Sequence, residues 1–116
     1  MRRALQVKPG VSRAMSDAIR RSSEWYEAQC NGEWEHHKGV LIETLDNPGW
    51  SVKVDLDGTP LAQSAFTELT ELADERNWIH CVVKGQRFEG NGGPDMLGRI
   101  LDVFLDWAAQ GREPRR

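Results

Sequence analysis

Four side chains that could bind a metal ion or transfer protons lie together near residue 35. Glu33, Glu35, His36 and His37 are close in sequence, and carboxylates and imidazoles serve as zinc ligands and as general acids or bases. On a strand, His36 and His37 would point to opposite faces and could not chelate one ion. The HExxH spacing is also absent. We therefore predict no metal, no cofactor and no catalytic residue, with a small metal-assisted enzyme that uses Glu35 and His36 as the alternative.

Two further features invite a chemical interpretation. Gly90–Gly93 precede Pro94 and are similar to a phosphate-binding loop at a helix N-terminus. No Lys-Ser/Thr pair follows, and Asp95 would place a negative charge where a phosphate would bind. Cys81 lies among apolar residues, whereas reactive cysteines occupy exposed, electropositive positions. The sequence therefore predicts a tight loop that leads into a helix, and a thiol packed in the core.

Charge is distributed unevenly along the chain. The 116 residues carry 15 Lys or Arg and 18 Asp or Glu, for a formal charge of −3. Residues 1–21 have a net charge of +5 and residues 112–116 of +2, whereas residues 22–111 carry six basic and sixteen acidic side chains, net −10. An acidic surface repels phosphate backbones, so we expect no nucleic-acid partner. It attracts basic proteins and accelerates their association.

Length and cysteine content indicate one domain that folds without disulfides or metal. We predict a flexible basic arm at residues 1–11, a single domain at 12–111 and a basic tail at 112–116. No apolar run approaches the roughly 20 residues that cross a bilayer, and no secretory signal follows the basic N-terminus. Cys30 and Cys81 are expected to be reduced, so we predict a cytoplasmic protein with no membrane partner.

The clearest local pattern is a period-two alternation after residue 49. Trp50, Val52, Val54 and Leu56 alternate with polar residues, which predicts a half-buried strand at 50–57 with its apolar row on the core. A turn at Asp46–Gly49 joins this strand to a predicted strand at 35–45. Strands joined by so short a turn form an antiparallel hairpin.

The remaining elements complete an α+β domain. We predict a helix from Ser12 or Ser16 to about residue 29, a strand at 66–72 whose spacing also suits a helix, and a central strand at 78–84. A glycine-rich loop at 85–93 and a helix from Pro94 to Gly111 follow. The predicted fold is a four-stranded antiparallel sheet flanked by an N-terminal and a C-terminal helix, in the order α-β-β-β-β-α, with both helices on one face.

Short motifs between residues 22 and 108 resemble those of a single protein family. They are Trp25-Tyr26, Gln29 to His36, Gly39 to Trp50, Val54-Asp55-Leu56 with Thr59, Trp78-Ile79, Phe88-Glu89-Gly90, Gly92-Gly93-Pro94 and Leu101 to Trp107. The run Thr44-Leu45-Asp46-Asn47-Pro48-Gly49-Trp50 is the most specific of them. Together they resemble the immunity protein 53 family of bacterial polymorphic toxin systems.

This resemblance implies a cytoplasmic protein that binds and neutralises a cognate toxin domain in the producing cell, without catalysis. The acidic body suggests a basic nuclease as the toxin, with an acidic surface that occludes the active site or an exosite. We predict partner contacts at Glu35, Asp46, Asn47, Trp50, Asp55 and Asp57, although Trp50 also fits the core. An adaptor or oligomerisation module is the further alternative, in which the strand at 66–72 pairs edge to edge with a partner.

Overall fold

A computed structural model of the protein describes residues 11–112. Its elements are α1 (Val11–Gln29), α2 (Trp34–His37), β1 (Val40–Leu45), β2 (Gly49–Asp55), β3 (Leu69–Leu72), β4 (Trp78–Lys84), β5 (Arg87–Gly92) and α3 (Leu97–Arg112). One sheet contains the strands in the order β1-β2-β5-β4-β3, and each neighbouring pair is antiparallel. The predicted α+β class with helices at both ends is confirmed. The predicted arm and tail fall almost entirely outside the described residues.

One face of the sheet, which we call the covered face, forms the core together with the helices. Its buried side chains are at most 2% exposed and include Val52, Val54, Ile79, Cys81 and Phe88. α3 packs on this face, where the rings of Phe88 and Phe104 have centroids 5.1 Å apart. α1 packs against α3, and Trp25 meets the Phe104 ring edge-on at 4.9 Å. The inward row predicted for the second strand and the core position predicted for Cys81 are confirmed.

The prediction of a glycine-rich loop at 85–93 is wrong, and with it the count of four strands. Arg87–Gly92 form β5, the central strand of a five-stranded sheet, between β2 and β4. A Cβ added to Gly90 would lie 2.5 Å from Ile100 Cγ2 on α3, and one added to Gly92 would lie 3.0 Å from Met96 Cβ. Glycine is present here because α3 approaches the strand closely, rather than because the chain turns.

The prediction of a strand at 35–45 is also wrong in its first part. Trp34–His37 form the short helix α2, and the strand begins only at Val40. Asn31 Oδ1 accepts the N–H groups of Glu33 and Trp34, each at 2.9 Å, and so stabilises the start of this turn. His36 and His37 therefore lie on one helical turn instead of on opposite faces of a strand.

Two other boundaries differ from the sequence prediction. α3 begins at Leu97 rather than at Pro94, because the chain first makes a turn in which the Met96 N–H donates to the Gly93 carbonyl at 3.0 Å. The strand favoured for residues 66–72 is present only as the short edge strand β3. None of the helices within residues 11–112 combines the length and the apolar character that crossing a membrane requires.

The second face of the sheet, which we call the open face, has no helix packed on it within residues 11–112. The strand registers place on it Leu41, Glu43 and Leu45 of β1, Ser51, Lys53 and Asp55 of β2, Arg87, Glu89 and Asn91 of β5, Trp78, His80, Val82 and Lys84 of β4, and Thr70 and Leu72 of β3. Antiparallel sheets commonly have one packed and one solvated face. The sheet thus presents a broad, mixed polar and apolar surface.

Candidate functional site

The open face is crossed by ion pairs between neighbouring strands. Lys53 Nζ lies 3.5 Å from a Glu43 carboxylate oxygen, and Arg87 Nε lies 3.4 Å from Asp55. On the far side of the face, His80 Nε2 lies 2.7 Å from Glu68 Oε2. Each of these pairs places a basic side chain beside an acidic one, so the charges within the pairs largely cancel. The open face is therefore a patterned surface of both signs, and the acidic excess of the chain lies largely elsewhere.

Asp55 is the predicted site residue that lies within the open face. Its side chain is 27% exposed, accepts the Gly39 N–H at 2.9 Å and lies beside Arg87. The backbone of the same two residues is joined as well, since the Asp55 N–H donates to the Gly39 carbonyl at 3.1 Å. Asp55 therefore holds the residue that precedes β1 against the end of β2. Only part of its carboxylate is accessible to a partner.

Asp57 follows directly at the end of the open face and is much more accessible. Its side chain is 65% exposed and lies 3.5 Å from Lys38 Nζ. Its carbonyl accepts the Trp34 indole N–H at 3.0 Å, which fixes the main chain while leaving the carboxylate outside. An open cleft of about 540 Å³ lies here, lined by Lys38, Asp55, Asp57, Lys84, Gln86, Arg87 and Glu89. A charged side chain of a partner could enter this cleft.

Asp46 and Asn47 lie at the opposite end of the same hairpin. Both are exposed in the turn between β1 and β2, and neither side chain has a hydrogen bond or ion pair in the part of the chain that the structure describes. The Asn47–Pro48 peptide bond is cis. Because β2 rises about 3.4 Å per residue, this turn is about 20 Å from Asp55. The predicted contact residues thus form two groups rather than one cluster.

Glu35 and Trp50 have roles within the fold. The Glu35 carboxylate accepts the N–H groups of Asn31 and Gly32 at 2.9 and 2.8 Å. Backbone N–H groups, foremost its own and then those of Asn31 and Gly32, hold the pKa of Glu35 below its ordinary value. Trp50 lies on the covered face, packs against the core and donates its indole N–H to the Pro94 carbonyl at 3.0 Å. Both residues stabilise local structure.

Several open-face residues were not among the predicted contacts. Trp78 is half-buried on this face, whereas Leu41 and Leu72 are 51% and 80% exposed. Lys53 and Glu89 occupy the middle of the face. The signal that could have found them is the outward row of each strand, because every second residue of β4 and β5 points away from the buried positions.

Metal and thiol chemistry find little support in the geometry. Within residues 11–112, no group of three or more His, Cys, Asp or Glu side chains is arranged to hold a metal ion. The rings of His36 and His37 have centroids 6.5 Å apart and both side chains are exposed. Cys30 and Cys81 are not bonded to each other. Burial raises the pKa of the Cys81 thiol to about 12, so this cysteine is a poor nucleophile.

Comparison with known proteins identifies one family. A family model described as Immunity protein 53 matches residues 19–109, which include most of α1, all five strands and most of α3. No curated protein and no solved structure matches the chain significantly. The family match covers the covered face, the open face and both ends of the sheet.

Proposed function

The chain belongs to the immunity protein 53 family, and on this premise we propose that it binds and neutralises a cognate toxin domain in the cytoplasm of the cell that makes the toxin. The observation that carries the proposal is that the family match spans a fold with one face packed by helices and one face on which, within residues 11–112, no helix lies. Inhibition requires binding alone, so the proposal includes no catalytic step.

The size of the open face suits a protein partner. Strands of about 20 Å, placed about 4.8 Å apart, give five strands a platform of about 20 Å on each side. A standard interface covers about 800 Å² of each partner, so it would cover this platform together with both of its ends. One toxin could therefore contact Asn47 at one end and Asp57 at the other, although the two residues are far apart.

The chemistry of the face narrows the proposed contacts. Trp78 offers a large aromatic surface of the kind that dominates binding energy, while Lys53, Glu89 and Asp57 offer charges that orient a partner. Asp55 supports this surface from within the hairpin. Glu35 and Trp50 contribute through the fold, and Asp46 lies at the corner beside the free edge of β1.

The charge of the body favours a basic toxin. Residues 22–111 have a net charge of −10, which steers a positively charged domain toward the chain and weakens as salt increases. A basic nuclease fits this requirement. This overall charge would bring the toxin to the chain, and the open face, whose own charges nearly balance, would then hold it and block access to its substrate mainly by steric occlusion.

The test requires a candidate toxin domain, which is sought among the genes beside the one for this chain. The two proteins are co-expressed and co-purified, and their affinity is measured by calorimetry at two salt concentrations. We expect Asp57→Lys combined with Glu89→Gln to weaken binding at least tenfold at low salt and to flatten the salt dependence. The matched control is Glu27→Lys combined with Glu24→Gln, which makes the same charge change on α1 and should keep nearly full affinity.

The possible results distinguish a failure of the proposed function from a failure of the proposed docking surface. If the toxin domain forms no complex with the unmodified chain and its toxicity is unchanged by co-expression, the proposed function is wrong. If a complex forms but both double variants bind equally well, the function stands and the toxin docks elsewhere. Circular dichroism of each variant shows that the fold is retained.

A further inference from the structure

The outer edge of β1 pairs with no other strand among residues 11–112. β1 is an edge strand, and the Asp55 N–H to Gly39 carbonyl bond fixes which residues face β2. Because bonded pairs alternate along an antiparallel ladder, Val40, Ile42 and Thr44 direct their N–H and C=O groups away from β2. An exposed edge of this length is a template for another strand.

An apolar groove runs beside this edge, between β1 and α1. It has a volume of about 520 Å³, and its lining includes Ile19, Ser22, Tyr26, Val40, Ile42 and Leu101. Ile19 is 56% exposed, Tyr26 40% and Ile42 42%. The Ser22 hydroxyl oxygen is buried without a hydrogen-bond partner among the described residues. The packing on this side of the molecule is therefore incomplete.

We propose that a second copy of this chain pairs with the free edge of β1, antiparallel, about a twofold axis at Ile42. In this register Ile42 faces Ile42 of the second copy, Val40 faces Thr44, and Leu41 faces Glu43. The outward groups of the two strands then form about six backbone hydrogen bonds. The two sheets join into one, and the proposal does not depend on the identity of a toxin.

Charge complementarity selects this register. The same alignment brings Lys38 opposite Asp46 of the second copy, and symmetry repeats the pair. Lys38 has an extended backbone and Asp46 is exposed, and the Lys38 ammonium would exchange its 3.5 Å contact with Asp57 for the contact with Asp46. A shift of two residues in one direction would place Glu43 directly opposite Glu43, which is unfavourable. A shift in the other direction loses the Lys38 and Asp46 pair and part of the hydrogen bonding.

We call the contact between the two β1 strands the seam. The helices on one side of it are compatible with self-association. A twofold axis perpendicular to the sheet keeps the helices of both copies on one side, so the two grooves face each other. The α1 side chains that line the groove, Ile19, Ser22, Ser23 and Tyr26, are all uncharged. Asp46 is thereby assigned to the seam, whereas the open face stays accessible to a toxin.

The other edge of the sheet offers a poorer template. β3 has four residues, and its Glu71 is held by two hydrogen bonds of 3.2 Å from Arg99 of α3. The sequence suggested the strand at 66–72 as the edge for oligomerisation. Of the two edge strands within residues 11–112, β1 is the longer and is the one beside an apolar groove, which favours β1 instead.

A cysteine scan tests the register. Leu41→Cys, Ile42→Cys and Glu43→Cys are made singly on a Cys30→Ser background, since the remaining Cys81 is buried. Residues directly opposite in a bonded pair have Cα atoms about 5.5 Å apart, within disulfide range. On mild oxidation, we expect Ile42→Cys to form the covalent dimer at least tenfold faster than the other two. Fastest cross-linking at residue 41 or 43, or equal rates at all three, overturns the proposal.

Sedimentation analysis tests the dimer without chemical modification. The unmodified chain should approach twice its 13.2 kDa mass within a concentration range of about 1–100 μM. Ile42→Lys should remain monomeric, because it places charge at the seam. Leu72→Lys, on the other edge, is the matched control and should dimerise as the unmodified chain does. A monomeric unmodified chain throughout this range contradicts the proposal.

Discussion

The two faces of the sheet are built from the same five strands but are stabilised by different interactions. On the covered face, Val52, Ile79 and Phe88 are fully buried, so volume and shape decide which residues fit. On the open face, ion pairs of 3.4 to 3.5 Å join half-buried side chains, so charge and direction matter more than volume. Neighbouring residues of one strand can therefore have opposite tolerance to substitution.

Introducing the same side chain at two adjacent positions of β5 should give the largest contrast. Gly90→Val adds bulk where a Cβ would already meet Ile100 at 2.5 Å, so we expect a loss of about 3 kcal/mol in the free energy of unfolding. Asn91→Val points to the open face and should change it by less than about 0.5 kcal/mol. Urea denaturation measures both. Equal losses would show that the two faces are not distinct.

Asp55 and Asp57 are carboxylates close to each other at the open face. Removing each one singly tests whether a residue contributes little to stability simply because it lies on this face. Asp55→Ala leaves the Gly39 N–H and Arg87 without their acceptor, so we expect a loss of about 2 kcal/mol. Asp57→Ala removes an exposed carboxylate and should cost less than about 0.5 kcal/mol. Thermal unfolding of both variants checks the difference. Similar values would mean that the Asp55 contacts contribute nothing measurable.

Thiol reactivity should distinguish the faces with almost no change in stability. Burial raises the pKa of Cys81 from 9.0 to about 12, so at pH 8 the thiol is almost entirely protonated and a disulfide reagent should react slowly. Both chains carry Cys30→Ser, because Cys30 is a second free thiol; in Val82→Cys the new thiol lies on the open face and should react much faster. Rates followed by absorbance at pH 8 test this, and a fast reaction at Cys81 would contradict its burial.

The same raised pKa predicts how alkali affects the fold. Above pH 9.0 the Cys81 thiol ionises in the unfolded chain but stays neutral in the folded one. Its contribution to stability is therefore complete below pH 9 and decreases as the pH rises toward about 12. Cys81→Ala should make the free energy of unfolding less sensitive to pH across this interval.

The elements that the sequence predicted correctly are those in which one face is strongly apolar. β2 has large apolar residues at every second position and β4 is apolar almost throughout, and burial of such rows determines which side faces the core. The turn at Asp46–Gly49 joins β2 to β1, whose residues are mostly exposed. The hairpin was therefore predictable from local chemistry.

β5 was not predictable from the same rule, because its buried row contains glycines. Phe88, Gly90 and Gly92 are buried and alternate with Arg87, Glu89 and Asn91. Two glycines carry no hydrophobic signal, and their lack of a side chain is explained by the closeness of α3, which is a tertiary property. The alternation of polar residues with Phe88 and the two glycines was the available clue.

The candidate site was predicted only in part. Exposure of Asp46, Asn47 and Asp57 follows from their turn and strand-end positions. The internal roles of Glu35 and Asp55 depend on backbone N–H groups of Asn31, Gly32 and Gly39, whose directions no sequence pattern reveals. Residue type indicates which groups can bind a partner, but only the fold shows which of them are already occupied.

The central position of β5 also determines the order of assembly during synthesis. The β1–β2 hairpin and β4 with its edge strand can each pair locally, but within the described sheet β5 is the strand that hydrogen-bonds to both. A growing chain therefore holds two separate pieces of sheet until residue 92 has left the ribosome. The two halves of the sheet therefore become one surface late in synthesis and in a single step.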